Sequence, residues 1–401
     1  MIDHLSAGKK TIVGIQFLFV AFGATVLVPL LTGIDPAVAL FTAGIGTLIF
    51  HLITKGMVPI FLGSSFAFIA PIVKATELYG MPGAMGGLVS VGLVYGLVSL
   101  IVKYFGLGII ERLFPKIVVG PVIIIIGLSL SSTGVDMASS DWLLAIITLV
   151  TAIIVSIYFK GMLKLIPIFC GIVVGYIAAM ILGRVDYTAI SQANWIQIPN
   201  FVAPVFDWNA IWYMIPVAIA PIIEHVGDVY AISGVAEKDF VKKPGLSRTL
   251  LGDGVATSIA AFLGGPPNTT YSEVTGAVAL TKVTDPGVMR VAAITALIFS
   301  LVGKISGFLT TIPTAVLGGI MLLLFGLIAS VGIRNLIAEG KNLEKSRNQI
   351  IVALILTVGI GGAEITAGRF SMAGIGLASM VGVLLNLILP EEINLVSKKN
   401  K

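Results

Sequence analysis

The chain has 401 residues, 57% hydrophobic and only 11% charged, with a mean hydropathy of +1.05. An ordinary soluble domain carries about a quarter charged residues, so a water-soluble enzyme is excluded and a polytopic membrane protein is expected. The formal net charge of +5 is spread over short loops and is no nucleic-acid footprint, and the single cysteine, Cys170, cannot form an intrachain disulfide.

Met1 to Lys10 is polar and the first apolar stretch is full length, so no cleavable signal peptide is expected. A spanning helix needs roughly 20 apolar residues. Stretches of that kind centre near residues 20, 45, 66, 94, 124, 151, 173, 220, 257, 274, 297, 321, 356 and 381. They predict fourteen segments. In the first, Phe17, Phe19 and Phe22 read as packing residues. In the second, His51 is expected near the interface. The third is broken: Gly63-Ser64-Ser65-Phe66-Ala67-Phe68-Ile69-Ala70-Pro71 carries Gly, Pro and hydroxyl residues that ruin a continuous helix. The fourth holds Gly83, Gly87, Gly92 and Gly96, small residues that let helices approach closely. Arg184 to Asn209 is the longest polar interval, and it divides the chain into seven segments and seven.

The second half opens on the eighth segment, where Glu224, His225 and Asp228 follow Pro216 and Pro221. Glu224 and Asp228 are i and i+4 and share one helix face, whereas His225 points about 100° away. The three therefore form no metal site, and no ligand cluster completes one. Asp253 is expected to cap or pair near the start of the ninth segment. The tenth is broken again, by Pro266-Pro267-Asn268-Thr269-Thr270-Tyr271-Ser272-Glu273. Lys304 and Glu364 lie near segment ends, where long side chains reach the surface.

Lys and Arg fix the orientation. With the N-terminus cytoplasmic, 21 of the 25 fall in cytoplasmic loops, and only Lys74, Arg184, Lys304 and Arg369 fall outside. That is a strong positive-inside bias. Both termini are then cytoplasmic, the C-terminal one marked by Lys398, Lys399 and Lys401. Seven segments per half put the halves in opposite orientation, the geometry of an inverted repeat, and each half carries its broken segment third.

Backbone unpaired at membrane depth is tolerated only inside protein or along a cavity. Two matched interruptions thus point to a solute site and to a transporter. Thr269, Thr270 and Tyr271, like Ser65, Phe66 and Ala67, favour extended backbone. Two such stretches meeting mid-membrane would pair in part and leave N–H groups for a solute, and adjoining helices would add positive ends. Glu224 and Glu273 supply carboxylate acceptors, which suits a neutral planar heterocycle and repels an anion. A buried carboxylate, Asp228 or Glu224, is also a natural proton carrier. No nucleotide-binding pattern occurs in the right context, and no nucleophile–base constellation or cofactor site is visible.

At Phe22-Gly23-Ala24-Thr25-Val26-Leu27-Val28-Pro29, Gly63 to Pro71, Glu224-His225-Val226-Gly227, Asn268 to Glu273, and Glu273-Val274-Thr275-Gly276 through Thr281-Lys282, the chain resembles the nucleobase–ascorbate transporter (nucleobase–cation symporter-2) family, in its uracil-transporting bacterial branch. The resemblance runs along nearly the whole chain. It implies an all-α polytopic membrane protein of fourteen segments in a 7+7 inverted repeat, with short β-strands in segments 3 and 10. The core domain would comprise residues 1–104 and 184–308 (segments 1–4 and 8–11). The gate domain would comprise residues 105–183 and 309–401 (segments 5–7 and 12–14).

Glu224 and Glu273 would contact the base, with Ser65, the backbone around Phe66, Tyr271 and Ser272, and the wall at Ala24 completing the site. Proton symport into the cell across the inner membrane, lipid around the spans and a homodimer through the gate domain are further implications. The chain departs from the family at Gln16-Phe17, where a Gln-His pair is usual, at Asp228, where some uracil transporters carry His, and at Ser272 and Val274, where Gly and Asn are frequent. Glu273 rather than Gln favours uracil. Xanthine or another purine, sodium coupling, and an anion exchanger or channel of the same fold are the alternatives.

Overall fold

The computed structural model describes residues 6–106, 108–367 and 370–390; Arg369, Lys398, Lys399 and Lys401 lie outside them. Helix α1 spans Ala7–Thr32 and stops at Gly33, whose φ of 75° suits glycine. Helix α2, Pro36–Ile53, starts on the Asp35 side chain, which accepts from the Ala37 N–H, with proline at the first turn. Strand β1, Leu62–Ser64, and a 3₁₀ turn, Phe66–Phe68, lead into α3, Ile69–Phe105. Gly80 breaks α3 at φ 71°, two residues before Pro82, so it covers two of the predicted segments.

Helices α4 (Gly108–Leu113), α5 (Lys116–Ser129), α6 (Ser131–Ser139), α7 (Trp142–Tyr158) and α8 (Pro167–Ile181) complete the first half. After α9 (Thr188–Gln192), α10 (Trp208–Met214) passes through a 3₁₀ turn containing Pro216 into α11 (Ile219–Ala236). Helix α12 (Leu246–Phe262), strand β2 (Asn268–Thr270) and α13 (Ser272–Thr281) follow. The chain ends in α14 (Pro286–Ser300), α15 (Gly303–Thr310), α16 (Thr314–Ile337), α17 (Ser346–Ile360), a hairpin of β3 (Glu364–Ala367) and β4 (Phe370–Ala373), and α18 (Gly374–Ile388). Six helical stretches among the described residues are long and apolar enough to cross a bilayer alone, the first Ala7–Thr32 and the last Thr314–Ile337. This is an integral membrane protein, mostly helical.

Two bundles are visible. In one, α3 packs on α12, and α2 on α12 and α14, with α1 on α14, around a core that includes Phe17, Phe61, Tyr95 and Leu250. In the other, α16 packs on α5, α6 and α7, α7 on α8, and α17 on α18. Glycine sets the closest approach: a Cβ on Gly92 of α3 would strike Ser258 and the Gly254 carbonyl of α12. Gly87 similarly meets the Ala210 carbonyl, but Gly96 faces open space. Polar contacts join loops and helix ends that are far apart in the sequence. Lys10 pairs with Asp285 at 2.9 Å, Arg184 pairs with Asp141, and Asp35 accepts from the Asn200 N–H and the Ser306 hydroxyl.

The structure refines several expectations. The extended stretch of the third segment ends before Phe66 and Ala67, which begin a helical turn; the strand lies at Leu62–Ser64, where Gly63 admits a close neighbour. In the tenth the strand is Asn268–Thr270, and Tyr271, still extended as expected, caps the helix that follows. His51 stands in the last turn of α2 and is turned inward: it is 3% exposed, and its Nε2 lies 2.9 Å from the Ile60 carbonyl oxygen. Asp253 is no cap and does not stand at the start of its segment; it sits fully buried in the body of α12, where it pairs with His225.

Candidate functional site

The centre of the first bundle is the antiparallel crossing of β1 and β2, in register Leu62↔Thr270, Gly63↔Thr269 and Ser64↔Asn268. The Ser65 N–H continues the ladder to the Pro267 carbonyl at 2.9 Å. Each broken segment thus pairs its backbone with the other, as buried polar groups require. Side chains lock the crossing to the helices around it. Tyr271 donates its hydroxyl to the Ser64 carbonyl at 2.9 Å, and Ser64 donates to the Thr25 carbonyl of α1 at 3.0 Å. Asn268 donates to the Thr42 carbonyl of α2, and Thr257 of α12 donates to the Asn268 carbonyl, both at 2.9 Å. A Cβ on Gly63 would collide with the Tyr271 ring, which is why glycine stands there.

Past the crossing, two helical segments begin side by side in function: the turn at Phe66 and α13 at Ser272. The first N–H groups of a helix have no intrahelical acceptor and carry its positive end. Phe66 and Glu273 are half-buried, and Ser272 and Glu224 are solvent-accessible. Ala24 and Ser65 are buried, the Ser65 hydroxyl having no partner among the described residues.

The three carboxylates differ in what they bind. Asp228, 6% exposed, accepts from the Thr270 hydroxyl at 2.5 Å and from the Ser272 hydroxyl at 2.6 Å. Both its oxygens are used to hold β2 and the start of α13 against α11. Glu224, one turn earlier on the same helix face, lies within electrostatic reach of Asp228 and Glu273. For the Glu224 and Glu273 side chains no partner on another residue is seen among the described residues. Two carboxylate acceptors and the N–H groups of two helix starts are a set that suits a small neutral molecule with N–H and C=O groups.

The sequence reading missed one polar contact. His225, which it turned away from Glu224, meets Asp253 of α12, Nδ1 to Oδ2 3.1 Å, with both side chains 0% exposed. No residue spacing signals a contact between two helices, although two ionisable residues in apolar stretches are themselves a hint. Phe19, Phe22, Phe169 and Phe299 form an aromatic cluster where α1 meets α8 and α14, in keeping with packing. Among the described residues no group of His, Cys, Asp and Glu is arranged to hold a metal ion. A separate polar cavity of about 740 Å³, lined in part by Asp35, Gln192, Gln197 and Asn200, lies away from these carboxylates.

The Xan_ur_permease model, described as a permease family, matches residues 8–368. The chain belongs to this family, that of the nucleobase–ascorbate transporters. It is a permease and not an enzyme. A protein named probable uracil permease from Pasteurella multocida is 51% identical over 98% of this chain and 96% of its own length. The uracil permease of Bacillus caldolyticus is 46% identical over 97% of this chain and 94% of its own. Solved structures share the fold at low identity. The transmembrane domain of the cyanobacterial bicarbonate transporter BicA superposes with a TM-score of 0.64 at 15% identity, over 96% of this chain and 98% of that one. SLC26A9 gives 0.69 at 12%, over 94% of this permease and 64% of that chain.

Proposed function

We propose that this permease imports uracil by proton symport across the inner membrane, with both termini cytoplasmic. The observation that carries the reading is the pair of carboxylates Glu224 and Glu273, which have no partner on another residue among the described residues, together with the helix starts at Phe66 and Ser272. Uracil is planar and offers two N–H donors and two carbonyl acceptors. The carboxylates accept from its N–H groups, and backbone N–H groups at Phe66, Ser272 and Glu273 donate to its carbonyls. Phe66 covers one face, and Ala24 limits depth. Relatives named uracil permeases at 46–51% identity over almost the whole chain support this substrate. An anion exchanger of the same fold fits poorly, because free carboxylates repel an anionic substrate.

In the proposed cycle the two broken segments and their helices form a core (residues 1–104 and 184–308), which moves against a gate (residues 105–183 and 309–401). Fourteen spans in two inverted repeats give that division. The gate also forms the homodimer contact, and lipid covers the remaining apolar faces. Glu224 takes up a proton from the outer side, uracil binds, and the neutralised site crosses. Asp228, already satisfied by Thr270 and Ser272, sets the charge that Glu224 senses and couples proton uptake to the shape of the substrate strand. Carrying a bare charge through a closed, dry site is costly, which makes neutralisation the condition for movement.

The test is uptake of labelled uracil by proteoliposomes, with and without an inward pH gradient, in sodium-free buffer and in competition with xanthine. Gradient-driven accumulation that excess xanthine leaves unchanged is expected. Accumulation that needs sodium, or xanthine competing as well as unlabelled uracil, overturns the coupling or the substrate.

A further inference from the structure

We propose that His225 and Asp253 form a buried positioning pair that fixes the rotation of α11, so that Glu224 and Asp228 face the substrate site, and that the pair keeps its proton throughout transport. The inference rests on the reading of Glu224 as a base contact. Its first support is geometry. His225 follows Glu224 directly, about 100° further round the helix. Anchoring His225 to α12 through the 3.1 Å contact with Asp253 therefore determines where Glu224 points.

The surroundings are built for a fixed contact. Asp253 lies between two glycines, and both admit a neighbour: a Cβ on Gly252 would press on Phe50 of α2, and one on Gly254 on Tyr95 of α3. Phe50 and Tyr95 are fully buried, and the Phe50 ring stands edge-on to His225 with centroids 6.4 Å apart. Four helices thus close around the pair. A lone carboxylate in such a place is strongly destabilising, whereas a carboxylate with an imidazole is tolerable when the two share one proton and carry no net charge.

The same geometry separates the pair from the coupling path. His225 and Asp253 have no accessible surface; Nδ1 and Oδ2 lie within ion-pair distance but outside hydrogen-bond geometry, and none of the four ring-nitrogen and carboxylate-oxygen atoms has a hydrogen-bond partner among the described residues. Among the described residues no hydrogen-bonded side chain links them to Glu224. The other titratable groups nearby are Glu224 and Asp228 on α11 itself and Tyr95 from α3, whose buried hydroxyl is likewise unpartnered. Because α11 and α12 belong to one bundle, movement of that bundle as a body leaves the contact intact.

Uracil affinity of the purified full-length protein, measured calorimetrically, and gradient-driven uptake test this together. His225→Asn keeps a donor near the Nδ1 position and should bind within threefold of wild type and accumulate uracil normally. His225→Leu should bind at least tenfold more weakly. Should that variant fail to fold, His225→Leu/Asp253→Leu removes the lone carboxylate, and its affinity should still be at least tenfold weaker. Wild-type affinity in either Leu variant overturns the positioning role. Normal binding without accumulation in His225→Asn overturns the fixed proton and makes the pair part of coupling. Absence of uracil binding by the wild-type protein would instead reject the substrate reading itself.

Discussion

At the scale of single residues, the carboxylates of the proposed site are separated by their partners. Among the described residues Glu273 has no side-chain partner, and it stands in the first turn of α13, whereas Asp228 is saturated by two hydroxyls at 2.5 and 2.6 Å. The first is available to a ligand; the second holds the site together. Glu273→Gln keeps the volume but replaces an acceptor-only group with an amide that must also place an NH₂. Uracil binding to the purified variant should weaken at least tenfold, about 1.4 kcal/mol, by calorimetric titration; unchanged affinity would remove Glu273 from the site. Asp228→Asn keeps one acceptor for Thr270 or Ser272, and the other hydroxyl can turn to accept from the amide. Binding should thus survive within about tenfold, again roughly 1.4 kcal/mol, while accumulation under a pH gradient is lost and counterflow exchange persists. Wild-type accumulation by this variant would leave coupling to Glu224 alone.

At the scale of elements, α3 and α12 share an extensive joint, and glycine lets it close. Gly92→Val would drive methyl groups into Ser258 and the Gly254 backbone; overpacking of this kind typically costs about 1–3 kcal/mol. Gly96→Ala, one turn on, meets nothing within 4 Å and should gain up to about 1 kcal/mol from helix propensity. Thermal unfolding in detergent should therefore separate the two, Gly92→Val melting lower than wild type and Gly96→Ala no lower. Equal melting temperatures would mean that the joint yields. Both glycines lie on the same sequence pattern, and only packing distinguishes them. The broken segments were legible for the opposite reason: the consecutive prolines Pro266 and Pro267, and Gly63 among hydroxyl residues, disfavour a continuous helix through local chemistry alone. Their exact extent was not, because a strand of three residues is set by cross-strand register, and Phe66 and Ala67 follow the helix that begins there. The His225–Asp253 contact and the β3–β4 hairpin were invisible likewise, one requiring two helices to be brought together and the other two short strands in an otherwise apolar stretch.

At the scale of the whole molecule, the proposed movement of a core against a gate requires their shared surface to slide. On the surface between the two bundles α1, which carries Ala24 of the proposed site, faces α8: an ideal Cβ on Gly23 would lie 3.1 Å from the nearest Ile168 methyl and 3.5 Å from the Ile168 Cβ. That last separation is at the short end of the Cβ–Cβ range of a disulfide, about 3.5–4.5 Å. Cys170, the only cysteine, is two residues from Ile168 and must first be replaced. In a Cys170→Ser background, Gly23→Cys/Ile168→Cys should therefore form a disulfide on mild oxidation. The bond ties the wall of the site, next to Ala24, to a helix of the opposite bundle. Oxidised proteoliposomes should lose uracil uptake, and reduction should restore it, while each single cysteine variant transports in both conditions. Uptake unaffected by a fully formed crosslink, verified by mass spectrometry, would show that α1 and α8 travel together and that the moving boundary runs elsewhere.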